Sequence, residues 1–261
     1  MENRRTILAT ENLGIGYAGK VIATIAKGID ISLKEGSLTA LIGANGIGKS
    51  TLLRTLTGIQ RTLSGSVLLN GKDLSSYHPK ELAKNLSIVL TEGLPPSNLT
   101  VFELVALGRQ PYTNWLGSLS DEDLAQVQKA LQLTQIGHLS DKKHHEISDG
   151  QFQKVLVARA LAQDTPLIIL DEPTTHLDLL HKVNLLRLLK ELAVNSGKCI
   201  LYSTHDLDLA LQMSDEIIIM NGKRTIQGTP QYLIDQKVLD TLFDDPDIVF
   251  DMTKGGFLIR P

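Results

Sequence analysis

Two apolar stretches flank Gly43-Ala44-Asn45-Gly46-Ile47-Gly48-Lys49-Ser50-Thr51, and this segment restricts the fold more than any other part of the chain. Gly43 and Gly48 stand five apart and are followed at once by Lys and Ser. Glycines at this spacing let the backbone curl until several N–H groups face one point, and a helix opening there adds a dipole that favours anions. The context fits. Leu38 to Ile42 reads as a strand, and Ser50 to Thr57 as a helix carrying Leu52, Leu53 and Leu56, with Gly58 at its end. Strand, glycine loop and helix predict a phosphate cradle formed by Gly43, Asn45, Gly46, Gly48, Lys49, Ser50 and Thr51. Lys49 would reach the β- and γ-phosphates of a nucleotide, and the Ser50 hydroxyl would coordinate Mg²⁺.

Composition narrows the alternatives. At 261 residues, 42% hydrophobic and 21% charged, the chain can bury a substantial core and is not disordered in bulk. Its 26 Lys and Arg against 29 Asp and Glu give a net charge of -3, so no nucleic-acid face is signalled. The single cysteine, Cys199, agrees with a reducing compartment. No apolar run approaches the roughly 18 residues that span a bilayer, and the start lacks a signal-peptide core, so a cytoplasmic location is expected.

Short apolar strands alternate with helical patterns throughout, which predicts an α/β fold around a parallel sheet. Asn70-Gly71 and Asn221-Gly222 lie between short apolar runs, so hairpins and an antiparallel part accompany that sheet. From Leu99 to Leu139 the pattern turns helical. Ser120 and Asp123 form a capping box before Leu124, Val127 and Leu131, as expected of an inserted helical subdomain.

A second motif is Leu167-Ile168-Ile169-Leu170-Asp171-Glu172-Pro173, an apolar strand ending in two carboxylates. Asp171 would hold the Mg²⁺ shell, and Glu172 would polarise a water for in-line attack. His205 follows a third strand-like run, Lys198 to Ser203, and could hydrogen-bond the γ-phosphate. The other six histidines, including His144 and His145, read as solvated loop residues. Between these motifs stands "HEISDGQFQK", His145 to Lys154. Ser148 can cap a helix beginning near Gln151, and Gly150 lets backbone approach a ligand, so this turn is a second anion site.

Phosphate loop, "ISDGQ", "LIILDEP", "THLD" at Thr175 to Asp178, and His205 follow one another in an order that resembles the ATP-binding subunit of an ABC transporter, from about residue 10 to 228. The resemblance implies one phosphate-loop NTPase domain of RecA-like type over 7–261. Its catalytic core would be 7–90 and 160–261, with an antiparallel β subdomain, and a helical subdomain would occupy about 92–158. It implies ATP and Mg²⁺ as cofactors, Tyr17 stacked on adenine where the sequence alone suggests a core aromatic, and Asp178 at the nucleotide site. Two subunits would form a head-to-tail homodimer in which Ser148, Gly150 and Gln151 of one close over ATP held by the other. Stretch Leu99 to Tyr112 resembles importers of iron chelates (siderophores and haem) and of cobalamin. A membrane permease dimer would then be the partner, with a substrate-binding protein acting indirectly, and the chain would sit on the inner face of the cell membrane.

Two positions depart from the family pattern. Asp149 replaces the usual second glycine of the signature and puts a carboxylate near an incoming phosphate. Thr91 stands where the family has a glutamine that touches Mg²⁺, and Glu92 is the nearest side chain long enough to coordinate a cation. A soluble ABC protein that clamps a macromolecular complex would carry tandem cassettes or coiled-coil insertions, which are absent from the sequence. A nucleotide kinase would leave "ISDGQ" unexplained.

Overall fold

The computed structural model of the protein describes residues 4–19, 22–90, 97–115, 117–175, 177–242, 247–251 and 256–259. The elements begin with β1 (Thr6–Tyr17), β2 (Ala23–Ile29), β3 (Ser32–Lys34), β4 (Leu38–Gly43), α1 (Lys49–Leu56), β5 (Ser64–Leu69), β6 (Lys72–Asp73), α2 (Pro79–Asn85) and β7 (Leu86–Val89). A helical group follows: α3 (Val101–Ala106), α4 (Asp121–Leu133) and α5 (Asp149–Ala162). The chain then alternates through β8 (Leu167–Leu170), α6 (Leu179–Ser196), β9 (Cys199–Ser203), α7 (Leu207–Met213) and β10 (Glu216–Met220). It ends in β11 (Thr225–Gly228), α8 (Pro230–Asp235), β12 (Ile248–Asp251) and β13 (Gly256–Ile259).

One sheet has the order β11-β10-β4-β9-β8-β7, parallel throughout except where β11 pairs β10. Strands β4, β8, β9 and β10 are largely apolar without alternation because both faces are covered. Leu38, Ala40 and Ile42 of β4, Ile168 and Leu170 of β8, and Ile200 and Tyr202 of β9 enter the core shared with α3 to α6. Their neighbours Leu41, Leu167, Ile169, Cys199 and Leu201 point the other way, toward α1 and the antiparallel strands. Each such Leu or Ile contributes roughly 1.5–3 kcal/mol by leaving water. The second sheet, β2-β1-β5-β6 with β3 on β1, packs across α1 through Leu8, Leu13, Ile15 and Leu69. The expected antiparallel part is therefore present.

Turn chemistry decides the hairpins. Asn70 (φ 52°) and Gly71 (φ 76°) both take the left-handed conformation that a two-residue connection needs, and Leu69 faces Lys72. Asn221-Gly222 also connects antiparallel strands, but Met220 faces Thr225, so the loop has four residues. There the Asn221 side chain accepts from the backbone of Lys223 (3.2 Å) and Arg224 (3.0 Å), which favours the longer turn.

In the helical group, Thr100 with Glu103 and Ser120 with Asp123 form the capping boxes that start α3 and α4. Val127 and Leu131 are buried as the helical spacing requires, whereas Leu124 stays exposed. Asp123 does more than cap. Its carboxylate accepts from Arg109 Nε at 2.8 Å, Arg109 also donates to the Ala162 carbonyl at 2.9 Å, and both side chains are almost fully buried. Thus α4, the turn after α3 and the end of α5 share one ion pair. At that end, Gln163 donates to the carbonyls of Ala83 (2.6 Å) and Leu86 (3.0 Å), tying α5 to the start of β7. The single helix α5 runs through residues 158–160, where the sequence placed a subdomain boundary.

Three histidines differ from the expected solvated loop residues. His78 caps α2, His181 lies in α6, and the His144 ring packs on Phe152 with centroids 4.0 Å apart. Among the described residues no helix is long and apolar enough to cross a membrane.

Burial pushes the Asp123 carboxyl up, but bonds from Ser120 and Arg109 outweigh it and hold the group below the usual carboxylate range. Stability from this pair is thus fully present above the ordinary carboxylate pKa of about 3.9 and is lost as pH falls through the lower value in the fold. Asp123→Asn leaves Arg109 buried and unpaired, so urea unfolding near neutral pH should show a loss of about 3–5 kcal/mol. The gap between native and variant should close in acid. A gap independent of pH would show that charge pairing is not its origin.

Candidate active site

Three strand ends build the site. Its first part is the loop from Gly43 to Gly48, which leaves β4 and opens α1. Gly48 has φ 109°, and a Cβ there would lie 2.4 Å from Ile25 Cγ2, so both backbone shape and packing require glycine. At Gly43 a Cβ would come within 2.5 Å of the Met220 carbonyl oxygen. Asn45 and Gly46 form the exposed crest of the loop. The helix begins at Lys49, one residue earlier than the sequence suggested.

Lys49 is buried, and its ammonium donates to the carbonyls of Gly43 (3.0 Å) and Ala44 (3.3 Å). Burial lowers its pKa below the usual lysine value, while the charges of Glu172 and Asp171 oppose that shift. The lysine therefore feels both carboxylates across the sheet. Ser50 is half-buried in the first turn of α1, and Thr51 lies 3.3 Å from the Tyr17 hydroxyl. Tyr17 is not a core aromatic: it is 54% exposed beside the loop, leaving part of its surface open.

The second part is the end of β8. Asp171 is 1% exposed and its backbone N–H donates to the Val89 carbonyl. Glu172 takes φ 51°, which turns its side chain out of the strand direction. Its carboxylate meets His205 Nε2 through one oxygen and accepts from the Thr175 hydroxyl (3.3 Å) through the other. His205 thus contacts Glu172 directly, a pairing the sequence reading did not foresee. It lies just past the end of β9, the strand between β4 and β8.

Ser203, at the end of β9, escaped the sequence reading. Its hydroxyl donates to Asp171 Oδ1 at 2.6 Å and accepts from the Glu172 N–H at 2.8 Å. The only signal was a hydroxyl closing an otherwise apolar strand.

Signature residues are arranged differently. Ser148 caps α5 by accepting from the Gln151 N–H (3.3 Å), and the Gln151 side chain accepts from the Ser148 N–H (3.0 Å). The helix starts at Asp149 rather than near Gln151, with Gly150 in its first turn. Ser148 and Asp149 are exposed, and an acid in a first turn suits the helix dipole. Among the described residues, no hydrogen bond joins Ser148–Gln151 to the phosphate loop of the same chain. Asp178 caps α6, accepting from the His181 backbone at 2.9 Å and meeting its ring at 2.8 Å. Those bonds hold its carboxyl below the usual range. Thr91 and Glu92 lie outside the described residues.

A glycine loop at a helix start, a buried lysine and paired carboxylates at neighbouring strand ends define a phosphate-loop nucleoside triphosphatase. Residues 26–175 match the ABC transporter family, and the chain belongs to it as an ATP-binding cassette that hydrolyses ATP. It is 41% identical over 246 residues to the iron(3+)-hydroxamate import ATP-binding protein FhuC of Bacillus subtilis strain 168, covering 94% of this chain and 90% of that protein. A metal-chelate type ABC transporter in an inward-facing conformation superposes with a TM-score of 0.80 at 27% identity, over 98% of this chain and 96% of that one. A dimeric post-hydrolysis ATP-binding cassette bound to ADP and Pi gives 0.75 at 26% identity, over 86% and 99%. Cassettes of this family form dimers and work with membrane permease components.

If Lys49 binds phosphate as a cation, ATP affinity should fall as pH rises through its lowered pKa. Glu172→Gln removes a charge that keeps the ammonium protonated, and the alkaline fall should begin at lower pH in the variant. Equilibrium binding of ATP from about pH 7 to about pH 10 checks this. Superimposable profiles would mean that Glu172 does not act on Lys49.

Proposed function

We propose that this chain energises import of an iron chelate through a membrane permease, by closing with a second copy over ATP and hydrolysing it. The observation that carries the reading is the meeting of Lys49, Asp171, Glu172 and His205 at adjoining strand ends, while Ser148 stands exposed at the start of a separate helix. Similarity to FhuC, whose name states iron(3+)-hydroxamate import, supports the chelate class.

Ser50 and Asp171 supply oxygen donors of the kind Mg²⁺ prefers. No cluster of three His, Cys, Asp or Glu that could hold a metal exists among the described residues, so phosphates and water would complete the shell. When bound, the ion neutralises charge on the β- and γ-phosphates. Gly43 to Thr51 hold the phosphates through backbone N–H groups and Lys49, and Tyr17 offers its ring to the base. Glu172 accepts the proton of the attacking water. His205 holds the Glu172 carboxylate from the other side and donates toward the γ-phosphate once that carboxylate turns to water. Ser148, Gly150 and Gln151 complete the partner copy's site, with Asp178 beside it. A groove of about 1120 Å³ between core and helical group, lined in part by Tyr77, Leu82, Ile88, Leu107 and Pro111, is where we place the permease contact. Thr91 or Glu92, which stand in the sequence where the family has its glutamine, would sense the nucleotide.

Glu172→Gln should keep ATP affinity and lose most hydrolysis. In a strain lacking the native gene, uptake of radiolabelled ferric chelate should return with the native chain and not with this variant. Uptake restored by the variant removes the proposed base, and uptake unaffected by gene loss removes the chelate.

Composite sites are tested by mixing Lys49→Ala with Ser148→Arg. In a mixed dimer both lesions fall in one composite site, and the other site is intact. The mixture should trap nucleotide above both parents. No gain, with mixed dimers demonstrated by differential tags, would mean that Ser148 serves its own chain.

A further inference from the structure

Asp171 and Glu172 are consecutive, and strand geometry would send their side chains to opposite faces of the sheet, so both carboxylates serve one site only if the backbone leaves strand geometry between them. Glu172 solves this by adopting φ 51°, a conformation that a non-glycine residue keeps only when its surroundings fix it. The fixing contact comes from β9. Ser203 is fully buried, and its one hydroxyl proton goes to Asp171 Oδ1 at 2.6 Å while its lone pair receives the Glu172 N–H at 2.8 Å. A short bond from hydroxyl to carboxylate in a dry setting is strong and directional.

We propose that Ser203 is a positioning residue for ATP hydrolysis: it sets the carboxylate plane of Asp171 and the backbone of Glu172 at once. The assignment rests on the roles given above to Asp171 and Glu172. His205 stands two residues further along the same chain segment and holds the Glu172 side chain. Glu172 is thereby gripped from β9 at its backbone and at its carboxylate. β9 is also tied to the phosphate-loop strand, since the Thr204 N–H donates to the Leu41 carbonyl at 3.1 Å. Base, metal-side carboxylate and phosphate loop therefore share one reference, the end of β9.

Loss of the hydroxyl takes this buried partner from the Glu172 N–H and from an Asp171 oxygen, and Glu172 relaxes toward an ordinary conformation. A misplacement of about 1 Å costs on the order of a hundredfold in rate. In Ser203→Ala, kcat should fall roughly tenfold to a hundredfold, with KM for ATP within about twofold, because phosphate binding does not pass through Ser203. The second readout is nucleotide binding itself, followed with a fluorescent ATP analogue in the Glu172→Gln background. Affinity without Mg²⁺ should match with and without Ser203→Ala, while the Mg²⁺ concentration for half-maximal strengthening should rise. Ser203→Thr keeps the hydroxyl and should restore most of kcat.

Activity of Ser203→Ala within about twofold of native overturns the assignment, as does unchanged Mg²⁺ dependence. Loss of Mg²⁺-free binding, or a collapse in thermal midpoint, assigns Ser203 to the fold instead. A folded Ser203→Thr that binds ATP and stays as slow as Ser203→Ala likewise removes the hydroxyl from the role. If Glu172→Gln hydrolyses normally, the reading of Glu172 fails, and that outcome is separable from a silent Ser203→Ala beside an inactive Glu172→Gln.

Discussion

β4, β9 and β8 lie side by side with both faces covered, and a polar group on either face loses water and needs a partner inside the protein, as the Tyr202 hydroxyl has in Ser214 at 3.0 Å. Polar chemistry is thus pushed to the ends of the strands. Gly43 begins the phosphate loop at one end, Asp171 and Glu172 follow β8, and Ser203 and His205 mark the end of β9. The same burial that stabilises the sheet also lowers the lysine's hold on its proton and makes the nearby carboxylates matter to it. Core and chemistry are one arrangement seen from two sides.

The helical group depends on a different interaction. Its charged anchor, Arg109 with Asp123, is almost fully buried, and it also takes up the carbonyl end of α5 through Ala162. A buried pair of this kind adds little net stability over apolar substitutes, but its geometry admits few alternatives. Stacking of the guanidinium on Tyr112, at 3.9 Å, restricts it further.

Periodicity and motif made much of this legible before any coordinates. Leu167 to Leu170 reads as a doubly covered strand because its apolar run has no alternation, and the loop before α1 reads as a phosphate cradle because its glycines have fixed spacing. Ser120 and Asp123 mark a helix start by local hydrogen bonding alone, which sequence records well. What stayed hidden depends on contacts distant along the chain. Ser203 meets Asp171 across 32 positions and Arg109 meets Ala162 across 53, and no local spacing announces either contact. Asn221-Gly222 shows the same limit at short range, since its side-chain bonds chose a longer turn than the dipeptide suggests. Thr91 and Glu92 fall outside the described residues.

Helix α5 has its two ends in different company. Ser148 opens it at the surface, and Gln163 closes it on the carbonyls of Ala83 and Leu86. Fourteen residues at 1.5 Å each make a rod of about 21 Å, stiff over that length. A tilt of this rod must either break the two hydrogen bonds that Gln163 donates at its base or drag the start of β7 with it. In mechanical terms the helix is a lever with its load arm at Ser148 and its pivot against the core, so a push felt at the surface turn is delivered as a displacement at the root of β7.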